Sequence, residues 1–275
     1  MFRPIVRPTR PVFLPNPVNW QHPLNRGRLA WWQCLPGRMA GPTWYDLCGR
    51  NNATLISMGA STRGWESNAR PGGSGSMLFD ATTSTYVSCP VTVQPTTAVS
   101  LQCWVNPISW TATGLEGVAC FPAGTSNLPY FGWLYYSGFG GFAFQIYAGG
   151  TRATYHPGNP AVGVWTHCMA TWDGANVSTY LNGVLKTGPS AYTGTIPAVS
   201  SGVIGALQSY NYMYSGYVDD VSFWNRALSA AEVQADYELS MRGYPGVLNR
   251  WTWPRYAAAT SAYNARLGSF QICNL

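Results

Sequence analysis

The sequence has few charged side chains, with 16 Lys and Arg and 10 Asp and Glu among its 275 residues, or 9%. Soluble domains usually carry about 25%. A coiled coil needs charged residues beside its apolar seam, and a disordered acidic or basic chain needs net repulsion, so both classes are excluded. The 46% hydrophobic and 15% aromatic residues supply a core, and 30 Gly and 20 Pro supply turns. This combination predicts an all-β protein.

The sequence also lacks paired cysteine motifs, long apolar runs and a leader of the secretory kind. No two of its seven Cys form a Cys-x-x-Cys pair, so a zinc ribbon and a thioredoxin-like site are unsupported, and we expect buried thiols. No apolar run approaches 18 residues, so we expect no membrane span. The start, MFRPIVRPTRPVFLPNP, has no apolar signal region. We therefore expect a virion or extracellular surface location reached without a classical signal peptide.

The charges are unevenly distributed along the chain. Residues 1–70 carry a net +7, residues 71–240 a net −5 and residues 241–275 a net +4. The first 26 residues are rich in Pro and Arg, which favours an extended arm without internal hydrogen bonds. A basic arm and tail around an acidic middle could bind an acidic neighbouring subunit, whereas their Arg residues are too sparse to favour nucleic acid. The candidate subunit contacts are Arg3, Arg7, Arg10, Arg250 and Arg255.

The middle of the chain predicts strands with short turns. Residues 164–187 form a predicted three-stranded meander, because Asp173-Gly174 and Asn182-Gly183 separate its apolar runs and favour tight hairpins. One helix is predicted over 230–240. It begins at a capping box in which Ser229 and Glu232 satisfy free backbone amides.

The order of these motifs resembles the laminin G-like domain of the concanavalin A-like jelly-roll superfamily. The runs that carry the resemblance are GRLAWWQCLPG and WYDLCGRNNATL in the opening segment, SMLFDATTSTYVSCP, VSLQCWVNP, GVWTHCMATWDGANVSTYLNGVLKTG and SGYVDDVSFWNRALSAAEVQADYE. The resemblance covers about 27–240 and implies a two-sheet antiparallel jelly-roll sandwich with one short C-terminal helix. We therefore divide the chain into an arm (1–26), a laminin G-like jelly roll (27–241) and a basic, aromatic extension (242–275).

The resemblance also implies a calcium site between the opening loop and the closing strand, and calcium takes six to eight oxygen ligands. The candidate ligands are Asp46, Asn51, Asn52, Asp219 and Asp220. The alternative is that these side chains bond loop and turn backbone without a metal. Cys48 and Arg50 depart from the small or polar residues usual in that loop.

Aromatic side chains in strand-like alternation are candidates for sugar stacking, since alternate residues of a strand share one face. They are Trp133, Tyr135, Tyr210, Tyr212 and Tyr214. The alternative is that they belong to the core or to a subunit interface.

Glycoside catalysis is not expected. Glucanases of the superfamily use two carboxylates in a Glu-x-Asp-x-x-Glu strand, and no Glu here begins that pattern. Asp219 and Asp220 are adjacent on a predicted strand, so we expect them on opposite faces. His167 alternates with Trp165 and Met169, and we expect it to pack inside the sandwich.

Two functions remain open from the sequence. The first hypothesis is a non-enzymatic structural or decoration protein of a phage-like particle, in which the arm and tail contact neighbouring subunits. The alternative is a lectin-like, carbohydrate-binding adhesion module on a cell surface or tail fibre. Other protein subunits or glycans are the expected partners, and calcium is the only cofactor considered.

Overall fold

The computed structural model describes residues 17–35, 39, 41–58, 64–82, 84–90, 98–111, 114–121, 129–198, 201–207 and 212–249. The first eight strands are β1 (Arg28–Trp32), β2 (Thr43–Trp44), β3 (Ala53–Ile56), β4 (Trp65–Glu66), β5 (Ser76–Phe79), β6 (Tyr86–Pro90), β7 (Val99–Pro107) and β8 (Leu115–Phe121). The others are β9 (Phe131–Tyr136), β10 (Gly141–Ala148), β11 (Thr151–Tyr155), β12 (Thr166–Trp172), β13 (Asn176–Leu181), β14 (Val184–Ala191), β15 (Ser201–Ile204) and β16 (Gly216–Trp224). Two short 3-10 helices cover Pro23–Asn25 and Ser137–Phe139, and helix α1 covers Ala230–Ser240.

The strands form two antiparallel sheets that face each other. Sheet I has the order β14-β13-β12-β7-β16-β5-β4, with β1 also paired to β16. Sheet II has the order β11-β10-β9-β8-β15-β6-β3-β2. The predicted all-β sandwich with one short helix is therefore confirmed, and the predicted meander is β12, β13 and β14.

The main core lies between the two sheets. It takes alternate residues of the central strands, such as Leu101, Cys103 and Val105 of β7, and Trp133 of β9. Six cysteines of the described chain are buried free thiols, as expected. Their apolar surroundings suit a thiol, which behaves as a small hydrophobe.

Helix α1 covers the outer face of sheet I. Val233 packs with Met169 of β12 and Trp224 of β16, and Tyr237 stacks on Trp104 with ring centroids 5.9 Å apart. The capping box is present, with Ser229 Oγ accepting from the Glu232 amide. Among the described residues, no helix is long and apolar enough to cross a membrane.

The segments next to the jelly roll also pack on this outer face. Val18 pairs with Leu248, and the Asn19 amide donates to the Val247 carbonyl at 2.9 Å. Tyr244 is fully buried against Trp31 in the same cluster. Residues 17–26 and 242–249, which the sequence assigned to the arm and the extension, are thus joined to the body. The rest of those two segments lies outside the described residues.

Candidate functional site

Asp46 organises the loop that was predicted to hold calcium. Its carboxylate accepts hydrogen bonds from the backbone amides of Trp31 at 2.8 Å, Cys48 at 2.9 Å and Asn51 at 2.9 Å. Asn52 Oδ1 accepts from the Asp46 amide at 3.0 Å. These oxygens therefore satisfy loop amides, as the alternative interpretation stated.

Asp219 and Asp220 bind the same arginine, so the expectation that they face opposite sides of the sheet is wrong. Arg70 Nε lies 3.0 Å from Asp219 Oδ2, and Arg70 Nη2 lies 2.9 Å from Asp220 Oδ2. The cause is a β-bulge: Asp220 has φ +59°, and the pairing of β16 with β7 shifts between Asp219 and Ser222. An extra residue in one strand breaks the alternation, so both carboxylates project onto the outer face.

This pair is fully buried, and its other contacts are also within the protein. Asp219 Oδ1 accepts from the Cys34 amide at 2.7 Å, and Asp220 accepts from the Trp31 indole and, at 2.7 Å, from the Tyr244 hydroxyl. Burial raises the pKa of Asp219 to about 7, against the attraction of Arg70. The two carboxylates therefore already have a counter-ion within the protein, which is the guanidinium of Arg70.

The predicted calcium ligands do not fit a calcium ion as they are arranged. Both carboxylate oxygens of Asp46 accept hydrogen bonds from N–H donors, and Asp219 and Asp220 are ion-paired with Arg70. Calcium needs several oxygens with free lone pairs converging on one point. In the described part of the chain, no three His, Cys, Asp or Glu side chains converge in that way.

A second buried ionic group joins helix α1 to sheet I. Arg28 Nη2 lies 3.2 Å from Asp236 Oδ1, and His167 Nε2 lies 3.5 Å from Asp236 Oδ2. His167 is buried as expected, but it lies beneath the helix, against Trp104 and Tyr237, and not between the sheets. It alternates with Cys168, which does face the core.

Two of the predicted sugar-stacking residues belong to the core. Trp133 is fully buried, stacks on Phe142 at 5.0 Å between ring centroids, and donates its indole N–H to the Leu101 carbonyl. Tyr214 is also fully buried. Neither ring has a face available to a ligand. Tyr210 lies outside the described residues, as do Arg3, Arg7, Arg10, Arg250 and Arg255.

The other two, Tyr135 and Tyr212, are at least partly exposed, and Tyr135 packs on a tryptophan that is not among the candidates from the sequence. Tyr135 is half-buried and stacks on Trp110, with centroids 4.8 Å apart and an interplanar angle of 11°. Trp110 follows β7, and its indole donates to the Pro160 carbonyl at 3.0 Å. Tyr212 is 46% exposed, and its carbonyl accepts from the Gly117 amide. The tryptophan could have been found from its position directly after a buried strand, where loops carry binding residues.

These aromatics share one end of the sandwich with exposed aliphatic side chains. Ile108, Val162 and Val164 are 48%, 56% and 52% exposed. Hydrogen bonds from Gly163 N to the Pro107 carbonyl and from Ile108 N to the Ser215 carbonyl tie the three loops together. We call Ile108, Trp110, Tyr135, Val162, Val164 and Tyr212 the loop surface. Exposed apolar side chains on loops that are tied together in this way are candidates for an interaction site.

Residues 80–234 match a laminin G-like family of the concanavalin A-like lectin/glucanase superfamily. The chain belongs to this superfamily. The matched range runs from the loop after β5 into helix α1, so the superfamily assignment covers both the loop surface and the closing strand. No curated protein matches the chain in sequence.

Several solved structures share the fold. Domain 4 of AbnA, a GH43 extracellular arabinanase from Geobacillus stearothermophilus in complex with arabinotriose, has a TM-score of 0.57 and 16% identity over 76% of this chain and 97% of that chain. Trypanosoma rangeli sialidase in complex with sialic acid has a TM-score of 0.54 and 15% identity over 78% of this chain and 33% of that one. The receptor-binding domain of botulinum neurotoxin D has a TM-score of 0.56 and 13% identity over 78% of this chain and 53% of that chain.

These identities show a common fold and no more. The chain spans about a third of the sialidases' length. The activity of the whole sialidase or arabinanase therefore does not transfer to this chain by likeness alone.

Proposed function

We propose that the protein is a non-catalytic, carbohydrate-binding module of the lectin type, and that its loop surface contacts the sugar. The observation that carries the proposal is the loop surface itself, where Tyr135 stacks on half-buried Trp110 and where Tyr212, bound through its carbonyl to Gly117 of β8, is exposed. Aromatic rings with a wet, polar edge suit sugars, which present apolar C–H faces and hydroxyl rims. A module of this kind acts where glycans are displayed, on a cell or particle surface.

The structural neighbours support this reading over that of a particle subunit. The arabinanase domain is described with arabinotriose, the sialidase with sialic acid, and the neurotoxin domain as receptor-binding. Nothing in these descriptions points to a particle. The particle hypothesis places subunit contacts in the arm and the tail, whose candidate arginines lie outside the described residues, so those contacts stay a prediction.

A non-catalytic role is supported by the burial of three carboxylates, Glu116, Asp219 and Asp220. Glycosidases need two carboxyl groups about 5 to 9 Å apart with access to the substrate. Glu116 is 4% exposed, and its side chain accepts from the Thr111 amide. Asp219 and Asp220 are buried with Arg70 on the opposite side of sheet I from the core.

A glycan array probed with the full chain tests the proposal. We expect binding to a defined set of glycans, and we expect Tyr212→Ala to weaken it by about tenfold or more, the effect of removing an aromatic anchor. Trp20→Ala is the matched control, because Trp20 is 43% exposed but lies on the helix-covered side. An array without hits, or unchanged affinity in Tyr212→Ala, would reject the loop surface as the sugar site.

A further inference from the structure

A separate groove of about 340 Å³ lies on the outer face of sheet I. Its floor is formed by Thr171 of β12 and by Ser178 and Tyr180 of β13, and one wall is the first turn of helix α1, with Ser229 and Ala230. The loop surface adjoins the start of β12, whereas the groove adjoins its end. The seven residues of β12 separate the two by about 20 Å.

Strand register aligns three hydroxyl groups along the floor. Thr171 lies opposite Ser178, and Tyr180 is two residues further along β13 on the same face. The Thr171 and Tyr180 side chains are packed into the sheet, at 6% and 5% exposure, and Ser178 is half-buried. None of the three hydroxyls makes a hydrogen bond to a described residue, and none is among the polar atoms buried without a partner, so all three open onto the groove. These aligned hydroxyls are therefore available to a ligand that lies in the groove.

The charges around the groove select the kind of ligand. No basic side chain lines it, and two acidic side chains do, Asp173 and Glu232. The nearby cation, Arg226, is held by Glu232 through contacts of 2.7 and 2.9 Å. An anion would meet two carboxylates and no free cation there. A neutral ligand with many hydroxyl groups meets only hydroxyls and carboxylate acceptors, which it can satisfy as both donor and acceptor.

We propose that this groove is a second sugar site, independent of the loop surface, which takes an uncharged sugar unit and excludes acidic sugars. The three floor hydroxyls bond the sugar hydroxyls, and the exposed carboxylate of Asp173 accepts from one more. Asp173 Oδ1 is already bonded to the amides of Ala175 and Asn176, which fixes the orientation of the carboxylate. Two sites on one chain would raise avidity for a branched or repeated glycan.

Nuclear magnetic resonance titration of the full chain tests the groove directly. The probes are free arabinose, galactose and glucose, with galacturonate as the acidic match of galactose. We expect at least one neutral sugar to shift the amide signals of residues 171–180 and 228–232, and galacturonate to bind about tenfold more weakly or not at all.

Two pairs of variants separate a ligand role from a structural one. Tyr180→Phe removes one hydroxyl and should weaken binding about fivefold, the effect of one neutral hydrogen bond. Tyr217→Phe, on β16 of the same sheet, should leave it unchanged. Ala230→Trp fills the groove from an exposed helix position and should abolish these shifts, whereas Ala231→Trp, also exposed but outside the groove, should not.

The outcomes distinguish this proposal from the loop-surface proposal. Shifts confined to residues 107–111, 135, 160–165 and 212–215 would overturn the groove and leave the loop surface standing. Shifts confined to the groove would do the reverse. Stronger binding of galacturonate than of galactose would overturn the assigned sugar class, and equal binding by Ala230→Trp and wild type would overturn the site.

Discussion

Arg70 binds two carboxylates in the interior of a chain that has few charged side chains. The side chains of Arg70, Asp219 and Asp220 are fully buried, as are those of Arg28 and Asp236. A buried ion pair rarely adds net stability, because desolvation offsets the attraction. A buried ion pair does fix the local geometry, because a buried charge tolerates few alternative positions. Here it fixes the bulge of β16 and the position of helix α1, through the Arg70 bond to the Ser240 carbonyl.

Replacement of Arg70 by Met should therefore be severe. It leaves two carboxylates buried without a counter-charge, and we expect a loss of about 3 to 5 kcal/mol in the free energy of unfolding. Urea denaturation measures it. Arg242→Met is the control, because Arg242 is exposed, and it should change the value by less than about 0.5 kcal/mol. Equal stability of the two variants would show that the buried pair is dispensable.

Glu116 should give the stability of the protein a pH dependence. Burial raises the pKa of Glu116 to about 7, from an ordinary value of 4.5. Between these values the carboxyl ionises in the unfolded chain and stays protonated in the folded one, so its contribution to stability falls as pH rises from 4.5 to 7.

We therefore expect Glu116→Gln to raise Tm at pH 8 relative to wild type, and to raise it less, or not at all, at pH 4. Gln keeps an oxygen that can accept the Thr111 amide. Thermal unfolding at the two pH values measures the difference. A Tm change of the same size at both would contradict a buried, protonated Glu116.

At the scale of elements, the sequence predicts structure well wherever the cause is local. The meander is defined by two turns, and Asn182 and Gly183 adopt the positive φ values that a tight hairpin needs, 52° and 77°. Helix α1 is Ala230–Ser240 because its capping box defines its start. Each of these features depends on neighbours a few residues away, which a single sequence displays.

The features that the sequence does not predict depend on contacts between residues that are far apart in the sequence. The bulge at Asp220 needs Arg70, which lies 149 residues before Asp219. Alternation shows that Trp133 and Tyr135 share a face, but not that this face is the core at Trp133 and the rim at Tyr135. The position of Trp110 after a buried strand indicates a loop residue, but only the packing of β9 shows that Tyr135 stacks on it. The three hydroxyls of the groove likewise need the register of β12 with β13.

At the scale of the whole molecule, the two ends of the described chain close the fold together. The Asn249 amide donates to the Pro17 carbonyl at 2.8 Å, and Asn25 Nδ2 donates to the Val247 carbonyl at 2.9 Å. With Trp31 and Leu47, residues from both ends form one buried cluster. The limits predicted from the resemblance, 27 and 241, therefore leave out the residues that the two ends contribute to this cluster.

A comparison of two truncated chains tests where the folding unit ends. The chain 27–241 lacks five side chains of this buried hydrophobic cluster, namely Val18, Leu24, Tyr244, Val247 and Leu248. Their burial contributes on the order of 10 kcal/mol, comparable to the stability of a whole domain. It also loses the Tyr244 hydroxyl that donates to buried Asp220. We therefore expect 17–249 to unfold cooperatively by calorimetry and 27–241 to be unfolded or to melt more than about 10 °C lower. Equal melting temperatures of the two chains would place the limits of the folding unit at 27 and 241. They would show that the jelly roll folds without its paired ends.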